Sequence, residues 1–318
     1  MKPRVMVTGA AGFIGGNLCR RLLEEGYDVV GIDNLSAGTL ANLPAGIDFY
    51  EEDIRDKSIF PLFKKAEAVF HLAAKNCLWD CLTNPPETGD INVRGTINVL
   101  EASKNAAVRK FIYADSSAVY EGVYEFPSKV HKVNPLGAYA VSKHSGALFA
   151  KMYKNMFGLN VTRLRYFNVY GPAQDYRRVI PPVISGFILK TLNGERPLIY
   201  GTGEKRRDFV YVDDVNDFHL LALKDARTDG RVFNLGTGIN YSVNEIFNLV
   251  AKALNVKRKP IYLEDLPGEA YATLADVSRE RQLGWRPRTD IKTGINYSIA
   301  YLKKEMETGR DETPTAMT

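Results

Sequence analysis

The sequence feature that most constrains the fold is a set of three glycines placed directly after a short apolar strand. Residues 4–8 form the strand, Gly9, Gly12 and Gly15 follow at intervals of three, and a helical pattern then runs to about Gly26. Glycines allow backbone N–H groups to approach a pyrophosphate, and the N-terminus of a helix favours negative charge. This order predicts a dinucleotide-binding fold. The alternative is a tight turn that binds nothing, because the spacing is not the more usual Gly-x-Gly-x-x-Gly.

The second strand ends in an acid that bears on the choice of cofactor. Residues 27–33 read as a strand, and Asp33 closes it. An acid at this point of a dinucleotide-binding fold binds the ribose 2′-OH of NAD and repels the 2′-phosphate of NADP. The sequence therefore predicts NAD as the cofactor.

Strands and helices continue to alternate after this unit. Strands are predicted over 47–50, 68–74 and 110–117, and a long helix over 86–105. Strands that alternate with helices of ten or more residues are typical of a parallel sheet covered on both faces. We therefore expect the α/β class, with a Rossmann-type, doubly wound parallel sheet.

Tyr139 and Lys143 are the strongest candidates for reacting groups. Four residues apart on a helix, they share one face, although such a pair also occurs by chance. A lysine ammonium beside a phenol would lower the pKa of that phenol and make it a base at neutral pH. Ser116 and Ser117 end a strand, where ligands bind in parallel sheets. Ser117 is expected to hydrogen-bond the same substrate oxygen as Tyr139.

Composition argues against several other classes of function. The chain has 318 residues, and its 42 basic and 37 acidic side chains are spread along it, with a formal charge of +5. This balance is too mild for a nucleic-acid partner, but it suits a small anionic substrate. No apolar run is long enough to span a membrane and no signal-peptide core follows Met1, so we expect a cytoplasmic protein without a membrane partner. The three cysteines and four scattered histidines match no metal-ligand spacing, so no metal site is expected.

The second half of the chain is expected to cover the first. Two apolar strands, 209–212 and 232–235, are predicted to return to the main sheet. The helix over 139–157 is apolar on more than one face, which indicates either a partner helix or deep burial. Further helices are predicted over 181–192, over 242–254 with Ser242 as the N-cap, and over 290–307.

The ordered motifs of this chain resemble those of the extended short-chain dehydrogenase/reductases. The resemblance covers about residues 3–305 and is to the NAD-dependent nucleotide-sugar epimerase/dehydratase family, most of all to its UDP-glucose (galactose) 4-epimerases. Each motif alone is weak, but so many in one order are specific. The motifs are Thr8-Gly-Ala-Ala-Gly-Phe-Ile-Gly15, Asp33-Asn34-Leu35-Ser36, Asp53-Ile54-Arg55-Asp56, His71-Leu-Ala-Ala74, Asn92-Val-x-Gly95-Thr96, Ser116-Ser-Ala-Val-Tyr120, Tyr139-x-x-x-Lys143, Arg165-Tyr-Phe-Asn-Val-Tyr-Gly-Pro172, Tyr200-Gly-x-Gly203, Arg207-Asp-Phe-Val-Tyr-Val-Asp-Asp214 and Asn234-Leu-Gly-Thr-Gly238.

The resemblance implies roles for individual residues. Ser117, Tyr139 and Lys143 would be catalytic. The NAD-binding residues would run from the pyrophosphate turn to the nicotinamide end: Gly9, Gly12, Phe13, Ile14, Gly15, Asp33, Asn34, Asp53, Ile54, Leu72, Ala73, Ala74, Asn92, Ser116, Tyr139, Lys143 and Tyr166. The substrate-binding residues would be Ser117, Tyr139, Asn168, Val179, Tyr200, Arg207 and Thr273.

The reaction implied by the resemblance is the 4-epimerisation of a UDP-sugar, with UDP-glucose and UDP-galactose first, through a transient 4-keto intermediate. The alternatives are 4-epimerisation of UDP-N-acetylglucosamine or UDP-glucuronate, a dehydratase or 4-keto reductase, and a non-enzymatic NAD-binding sensor. Sugar dehydratases of the family carry a carboxylate around Ser117 and Ala118, and its absence here favours epimerisation.

Three departures from the family pattern concern the substrate. Leu266 stands where an arginine usually grips the diphosphate, so Arg177 or Arg178 are candidates to replace it. Asn168 and Ala173 differ from the threonine and arginine of the UDP-glucuronate 4-epimerases. Thr273 replaces a bulky tyrosine that restricts some epimerases to unacetylated hexoses, so an N-acetyl group has more room.

The resemblance also implies the division of the chain. Residues 1–172 with about 208–238 would form the NAD-binding domain, and about 173–207 with 239–308 a smaller, mostly C-terminal substrate-binding domain. Residues 309–318 are expected to be a flexible tail. A homodimer is expected, built on the helices over 86–105 and 139–157.

Overall fold

A seven-stranded parallel sheet lies at the centre of the structure, a computed structural model that describes residues 2–178, 180–265 and 270–308. Its strand order is β10-β6-β5-β4-β1-β2-β3. In chain order the strands are β1 (Arg4–Thr8), β2 (Asp28–Asp33), β3 (Asp48–Glu51), β4 (Ala68–His71), β5 (Lys110–Ser116), β6 (Val161–Tyr166), β7 (Asn168–Tyr170), β8 (Leu198–Tyr200), β9 (Arg206–Tyr211), β10 (Val232–Leu235), β11 (Asn240–Ser242) and β12 (Ile261–Leu263).

Helices cover both faces of this sheet, because alternate residues of the strands are apolar on each side. Met6 of β1 packs in a cluster with the helices on one face, while its neighbours Val5 and Val7 pack with Leu18 and Phe218 on the other. The predicted α/β class and Rossmann-type sheet are confirmed. The helices are α1 (Phe13–Glu24), α2 (Leu78–Thr83), α3 (Pro85–Gly89), α4 (Thr96–Asn105), α5 (Ala138–Phe157), α6 (Val183–Leu192), α7 (Val212–Lys224), α8 (Val243–Ala253), α9 (Ser278–Gln282) and α10 (Ile291–Glu307).

The helix predicted over 86–105 is present but is interrupted. A π-helical segment, Asp90–Gly95, separates α3 from α4. Thr96, the first residue of α4, donates its hydroxyl hydrogen to the carbonyl oxygen of Asn92 in this segment at 2.7 Å. Such segments widen the helix and often occur at functional sites.

The strand predicted over 209–212 does not return to the main sheet, so this prediction is wrong. As β9 it pairs with β7 and β11 in a separate three-stranded sheet. Phe209 and Tyr211 are buried there in an apolar cluster with side chains of α6, α8 and α10. The apolar side chains of those helices form a second core, and β9 packs against this core instead of pairing in the main sheet. The strand predicted over 232–235 does join the main sheet, as β10 beside β6.

The predicted C-terminal helices are present, and their caps explain their limits. Ser242 accepts a hydrogen bond from the Glu245 backbone N–H while the Glu245 carboxylate accepts one from the Ser242 backbone N–H, a complete capping box. Asp290 also caps its helix, α10, by accepting hydrogen bonds from the backbone N–H groups of Lys292 and Thr293. The helix predicted from residue 181 begins at Val183, with Pro182 as its N-cap. Among the described residues, no helix is long and apolar enough to cross a membrane.

Glu280 in α9 is a buried carboxyl that should make stability depend on pH. It is 0% exposed; one carboxyl oxygen accepts a hydrogen bond from the Asn234 backbone N–H, and the other has no partner among the described residues. Burial raises the pKa of Glu280 from 4.5 to about 7. The unfolded chain loses this proton near pH 4.5 and the folded chain only near pH 7, so the free energy of unfolding falls as pH rises through that window.

Replacing Glu280 with glutamine should therefore stabilise the protein above pH 7. We expect a gain on the order of 2 kcal/mol at pH 8 and a much smaller change at pH 4.5, measured by thermal unfolding at both values. Glu307→Gln, at an exposed position of α10, is the matched control and should leave the free energy of unfolding unchanged at both pH values. An equal effect of Glu280→Gln at the two pH values would contradict this prediction.

Candidate active site

The carboxyl ends of the main strands open into one cleft of about 820 Å³. Its floor is formed by the turns that follow β1, β2, β4, β5 and β6, and residues of the second half of the chain form the opposite wall. The predicted site residues that line the cleft are Gly9, Gly12, Phe13, Ile14, Gly15, Asp33, Asn34, Asp53, Ile54, Leu72, Ala73, Ala74, Ser116, Ser117, Tyr139, Lys143, Tyr166, Asn168, Arg207 and Thr273.

The glycine turn has no room for side chains. Gly9 has φ +75°, and a Cβ added to Gly15 would lie 2.0 Å from the Gly9 carbonyl oxygen. The turn runs directly into α1, which begins at Phe13. The N–H groups of Gly9, Ala10, Ala11 and Gly12 are bonded within the protein, so the backbone N–H groups at the start of α1 are the ones left for a bound pyrophosphate. The turn fits the dinucleotide that the sequence predicts.

Asp33 is fixed beside this turn by the backbone. Its carboxylate accepts hydrogen bonds from the backbone N–H groups of Ala11 at 3.0 Å and Leu35 at 2.9 Å. Burial raises the pKa of Asp33, while these hydrogen bonds oppose the shift. The carboxylate thus stands at the end of β2, where it can accept hydrogen bonds from ribose hydroxyls.

Arg55 belongs to the cofactor half of the cleft and was not predicted to bind there. It holds the Asp53 carboxylate through Nε at 2.9 Å and Nη2 at 2.7 Å, and Asn34 donates to the same carboxylate at 2.9 Å. The Arg55 guanidinium lowers the pKa of Asp53 to about 2. A second carboxylate, Asp90, accepts from Arg55 Nη1 at 2.9 Å. The Asp-x-Arg spacing was the available signal for this cluster.

Tyr139 and Lys143 lie on the same face of α5, as predicted, but their ionisation is set mainly by burial. Burial raises the pKa of Tyr139 to about 12 and lowers the pKa of Lys143 to about 8. The Lys143 ammonium lies 4.5 Å from the centre of the Tyr113 ring, a cation–π contact. The expected lowering of the Tyr139 pKa by Lys143 is not found in this geometry, where the loss of water around the phenol dominates.

Ser116 and Ser117 differ in their relation to the Tyr139 phenol. A hydrogen bond with the Ser116 side chain opposes the upward shift of the Tyr139 pKa. Ser116 is the last residue of β5, and Ser117 begins a short 3₁₀ turn, Ser117–Tyr120, on the cleft wall. Among the described residues we find no hydrogen bond between the Ser117 side chain and Tyr139. The catalytic role of Ser117 stays a prediction.

A buried ion pair lies behind Ser116. The Asp115 carboxylate accepts a hydrogen bond from the Ser116 backbone N–H at 2.8 Å and one from Arg165 Nε at 3.0 Å. Arg165 also donates to the Tyr120 hydroxyl and to the Val130 carbonyl oxygen, both at 2.8 Å. These contacts fix the end of β5, and the sequence offered no specific signal for the Asp115 pair.

Three predicted site residues are placed differently or not described. Asn92 is buried behind the cleft, where its amide bonds the Lys75 backbone N–H at 2.8 Å and carbonyl oxygen at 2.9 Å. Asn92 therefore holds the turn after β4 rather than lining the cleft. Tyr200 lies in β8, which pairs with β12, and is not on the cleft surface. Val179 falls outside the described residues, as do Leu266 and the tail over 309–318.

The wall of the cleft that the second half of the chain forms contains a small hydrogen-bonded group. The Thr273 hydroxyl oxygen accepts from Asn168 Nδ2 at 3.2 Å and from the Asp208 backbone N–H at 3.1 Å. Arg207 donates to the carbonyl oxygens of Arg206 and Tyr271 at 3.0 and 3.4 Å, and lines the same wall. Within the described ranges, no group of three or more histidine, cysteine or acidic side chains could hold a metal ion.

Comparisons with known proteins agree with this geometry. Residues 5–236 match the model of the "NAD dependent epimerase/dehydratase family". The UDP-glucose 4-epimerase of Mycolicibacterium smegmatis is 35% identical over 314 residues, which cover 96% of this chain and 100% of that protein.

Two solved structures are similar over nearly their whole length. The UDP-glucose 4-epimerase of Thermotoga maritima with UDP-glucose is 34% identical with a TM-score of 0.92, covering 95% of this chain and 99% of that one. The UDP-N-acetylglucosamine 4-epimerase of Methanobrevibacter ruminantium, in complex with UDP-N-acetylmuramic acid, is 32% identical with a TM-score of 0.92, covering 96% and 100%. The predicted cofactor, NAD, is confirmed by the family match. With its glycine turn, Asp33 and Tyr139-x-x-x-Lys143 pair in one cleft, the chain belongs to the NAD-dependent epimerase/dehydratase family of extended short-chain dehydrogenase/reductases.

Proposed function

We propose that this chain is an NAD-dependent 4-epimerase of a UDP-sugar, with UDP-glucose and UDP-galactose as the first substrate pair to test. The observation that carries the proposal is the meeting of the Tyr139 phenol and Ser116 in the cleft that also contains the glycine turn and Arg207. The relatives named above are epimerases of UDP-sugars, which supports the same reaction class.

Tyr139 is the group that moves the proton of the sugar 4-hydroxyl. A phenol with a pKa of about 12 is a weak base at pH 7, so it needs a nearby positive charge to accept that proton. Lys143, with a pKa of about 8, is mostly protonated at pH 7 and can stabilise the phenolate from the same face of α5. A bound NAD, held by the glycine turn and Asp33, would supply first the acceptor and then the donor of the C4 hydride.

Ser116 holds the 4-oxygen as it becomes a carbonyl. Its hydroxyl lies at the carboxyl end of β5, next to the phenol, and the Asp115–Arg165 pair fixes the backbone behind it. A 4-keto sugar that is held mainly through its nucleotide and diphosphate can turn within the cleft and receive the hydride on its other face. This sequence of steps consumes no external reductant.

The segment that follows β5 carries no carboxylate at Ser117 or Ala118, and the Glu121 carboxylate on the cleft surface accepts a hydrogen bond from the Gly137 backbone N–H at 2.8 Å. Ala118 lines the wall at the position where a carboxylate would be needed, and the nearest carboxylate in the strand, Asp115, is already engaged by Arg165. Elimination of water from the 4-keto sugar requires a group that can donate a proton to the leaving hydroxyl. Epimerisation is therefore favoured over dehydration.

UDP-N-acetylglucosamine is the second candidate substrate. Thr273 has a short side chain, and its hydroxyl is already bonded by Asn168 and by the Asp208 backbone. That arrangement keeps the side chain against the wall and leaves space beside the sugar. The UDP-N-acetylglucosamine 4-epimerase among the similar structures supports testing this sugar alongside UDP-glucose.

One experiment tests the proposal against its alternatives. The purified protein is incubated with UDP-glucose, UDP-N-acetylglucosamine and UDP-glucuronate in turn, without added reductant, and the C4 configuration is followed by proton NMR. Conversion of one sugar to its C4 epimer supports the proposal and names the substrate. Loss of water from the sugar would indicate a dehydratase, and bound NAD without any turnover would indicate a sensor.

We also propose that the protein acts as a cytoplasmic homodimer. Apolar side chains of α5 are exposed in the single chain, with Leu148 at 51%, Met156 at 71% and Phe157 at 52%. Apolar surface of this kind is usually covered by a partner. Sedimentation of the purified protein measures the oligomeric state directly, and a monomer would contradict the proposal.

A further inference from the structure

Arg178 is a charged residue of the cleft that has no role in the chemistry proposed above. It lies in the loop over 173–178, between β7 and α6, and it lines the cleft. Its neighbour Arg177 is more exposed and is not part of the cleft surface. Arg177 and Arg178, the two candidates named from the sequence, therefore differ in position. The Arg178 side chain lines the cleft and the Arg177 side chain does not.

Contacts with two different segments hold Arg178 in place. Its Nε lies 3.0 Å from an oxygen of Asp175 in the same loop. Its Nη2 donates to Asn76 Oδ1 at 2.9 Å, across the cleft, in the turn that follows β4. Nη1 makes no hydrogen bond with any described residue, so donors remain for a ligand.

The loop that carries Arg178 has a net positive formal charge. The loop over 173–178 contains Arg177, Arg178 and Asp175, a formal sum of +1. On the opposite wall, Arg207 extends from β9 into the same cleft. Two guanidinium groups that enter from separate elements are well suited to oxygen atoms of a diphosphate, because each planar fork can bind two of them.

The position of Arg178 along the cleft is close to the reacting end. Its positive charge lowers the pKa of Tyr139, which means that it lies within electrostatic range of the phenol. Asn76, to which it donates, precedes Cys77 and Leu78, and these also line the cleft. A ligand atom bound by Arg178 therefore lies toward the sugar rather than toward the uridine.

Resting on the proposed function, we infer that Arg178 binds an anionic oxygen of the substrate at the sugar end of the diphosphate. The oxygen has two possible sources with the same chemistry. It belongs either to the phosphate attached to the sugar, which every UDP-sugar carries, or to the carboxylate of UDP-glucuronate.

Binding measurements on three variants test this inference. We compare Arg178→Ala, Arg178→Lys and the matched control Arg177→Ala with the original protein, each loaded with NAD, and titrate them with UDP, UDP-glucose and UDP-glucuronate by calorimetry. If Arg178 binds the phosphate, Arg178→Ala should weaken all three ligands by about 10-fold or more. Arg178→Lys should give an intermediate loss, because it keeps the charge and loses the fork. Arg177→Ala should change each affinity by less than about twofold.

Each other result has a defined meaning. A loss confined to UDP-glucuronate would place the carboxylate, and not the phosphate, at Arg178. Equal affinities of Arg178→Ala and Arg177→Ala for all three ligands would overturn the inference. Thermal unfolding and bound NAD should be the same in all variants, and if Arg178→Ala alone unfolds early, the comparison of Arg178→Lys with Arg177→Ala decides the question.

The test separates this inference from the proposed function. UDP is not a substrate, so its binding reports on Arg178 whether or not any sugar is epimerised. An original protein that binds UDP but converts none of the three sugars would contradict the proposed function and leave the binding comparison intact. A protein that epimerises a UDP-sugar with unchanged affinity in Arg178→Ala would contradict the inference alone.

Discussion

Replacement of Tyr139 with phenylalanine is expected to lower the rate of 4-epimerisation by about 10²- to 10⁴-fold while the protein keeps its NAD. The phenol is the group placed to accept the 4-hydroxyl proton, and the variant removes only its oxygen. Cofactor retention is expected because the variant keeps the aromatic ring and leaves the glycine turn and Asp33 unchanged. Turnover is measured by proton NMR on the substrate found in the sugar panel, and bound NAD is measured by absorbance after denaturation.

Tyr297→Phe is the matched control for this variant. Tyr297 lies on α10, is 52% exposed and is not on the cleft surface, so its loss of a hydroxyl should leave turnover within about twofold of the original rate. A Tyr139→Phe protein that still turns over at more than a tenth of the original rate would show that another group moves the proton.

The two serines at the end of β5 should differ sharply in their effects. Ser116→Ala is expected to reduce the turnover rate by about 10²- to 10³-fold, because it removes the hydroxyl that bonds the phenol and is placed to hold the developing carbonyl oxygen. Ser117→Ala should cost less than about 10-fold, because Ser117 lies one residue further on, in the 3₁₀ turn. Both variants are compared under saturating substrate, so that the difference reports on the chemical step.

The reverse order of effects would restore the assignment made from the sequence. If Ser117→Ala were the more severe variant, the 3₁₀ turn would have to move Ser117 toward the phenol when the sugar binds. Bound NAD and thermal unfolding should match the original protein in both variants, since neither serine contributes to the apolar core.

Much of the cofactor half of the site could be predicted because its signals are local. Gly9, Gly12 and Gly15 follow their strand directly, and Asp33 ends the next one, so a short stretch of chain already determines their relative positions. Tyr139 and Lys143 share a face through helix geometry alone. Parallel strands then bring these stretches to one edge of the sheet.

Local patterns predict least where a single residue of register or a distant partner decides the outcome. Successive residues at the end of a strand point to opposite faces, so ending β5 at Ser116 instead of Ser117 changes which hydroxyl meets the phenol. An apolar strand can be buried against any apolar surface, and β9 pairs with β7 and β11. A local sequence pattern predicts neither the last residue of β5 nor the sheet that β9 joins.

The sequence by itself determined the kind of protein: a glycine turn, an acid after the second strand and a Tyr-x-x-x-Lys helix specify NAD and a hydride-transfer site, because each depends on neighbours within a few residues. Only the tertiary structure decided which side chains share the cleft. The residues of the Asp115–Arg165 and Arg178–Asn76 pairs are separated by 50 and 102 positions. The residues of these two pairs meet only after the sheet and the second half of the chain have packed, because burial and charge compensation act through space and not along the chain.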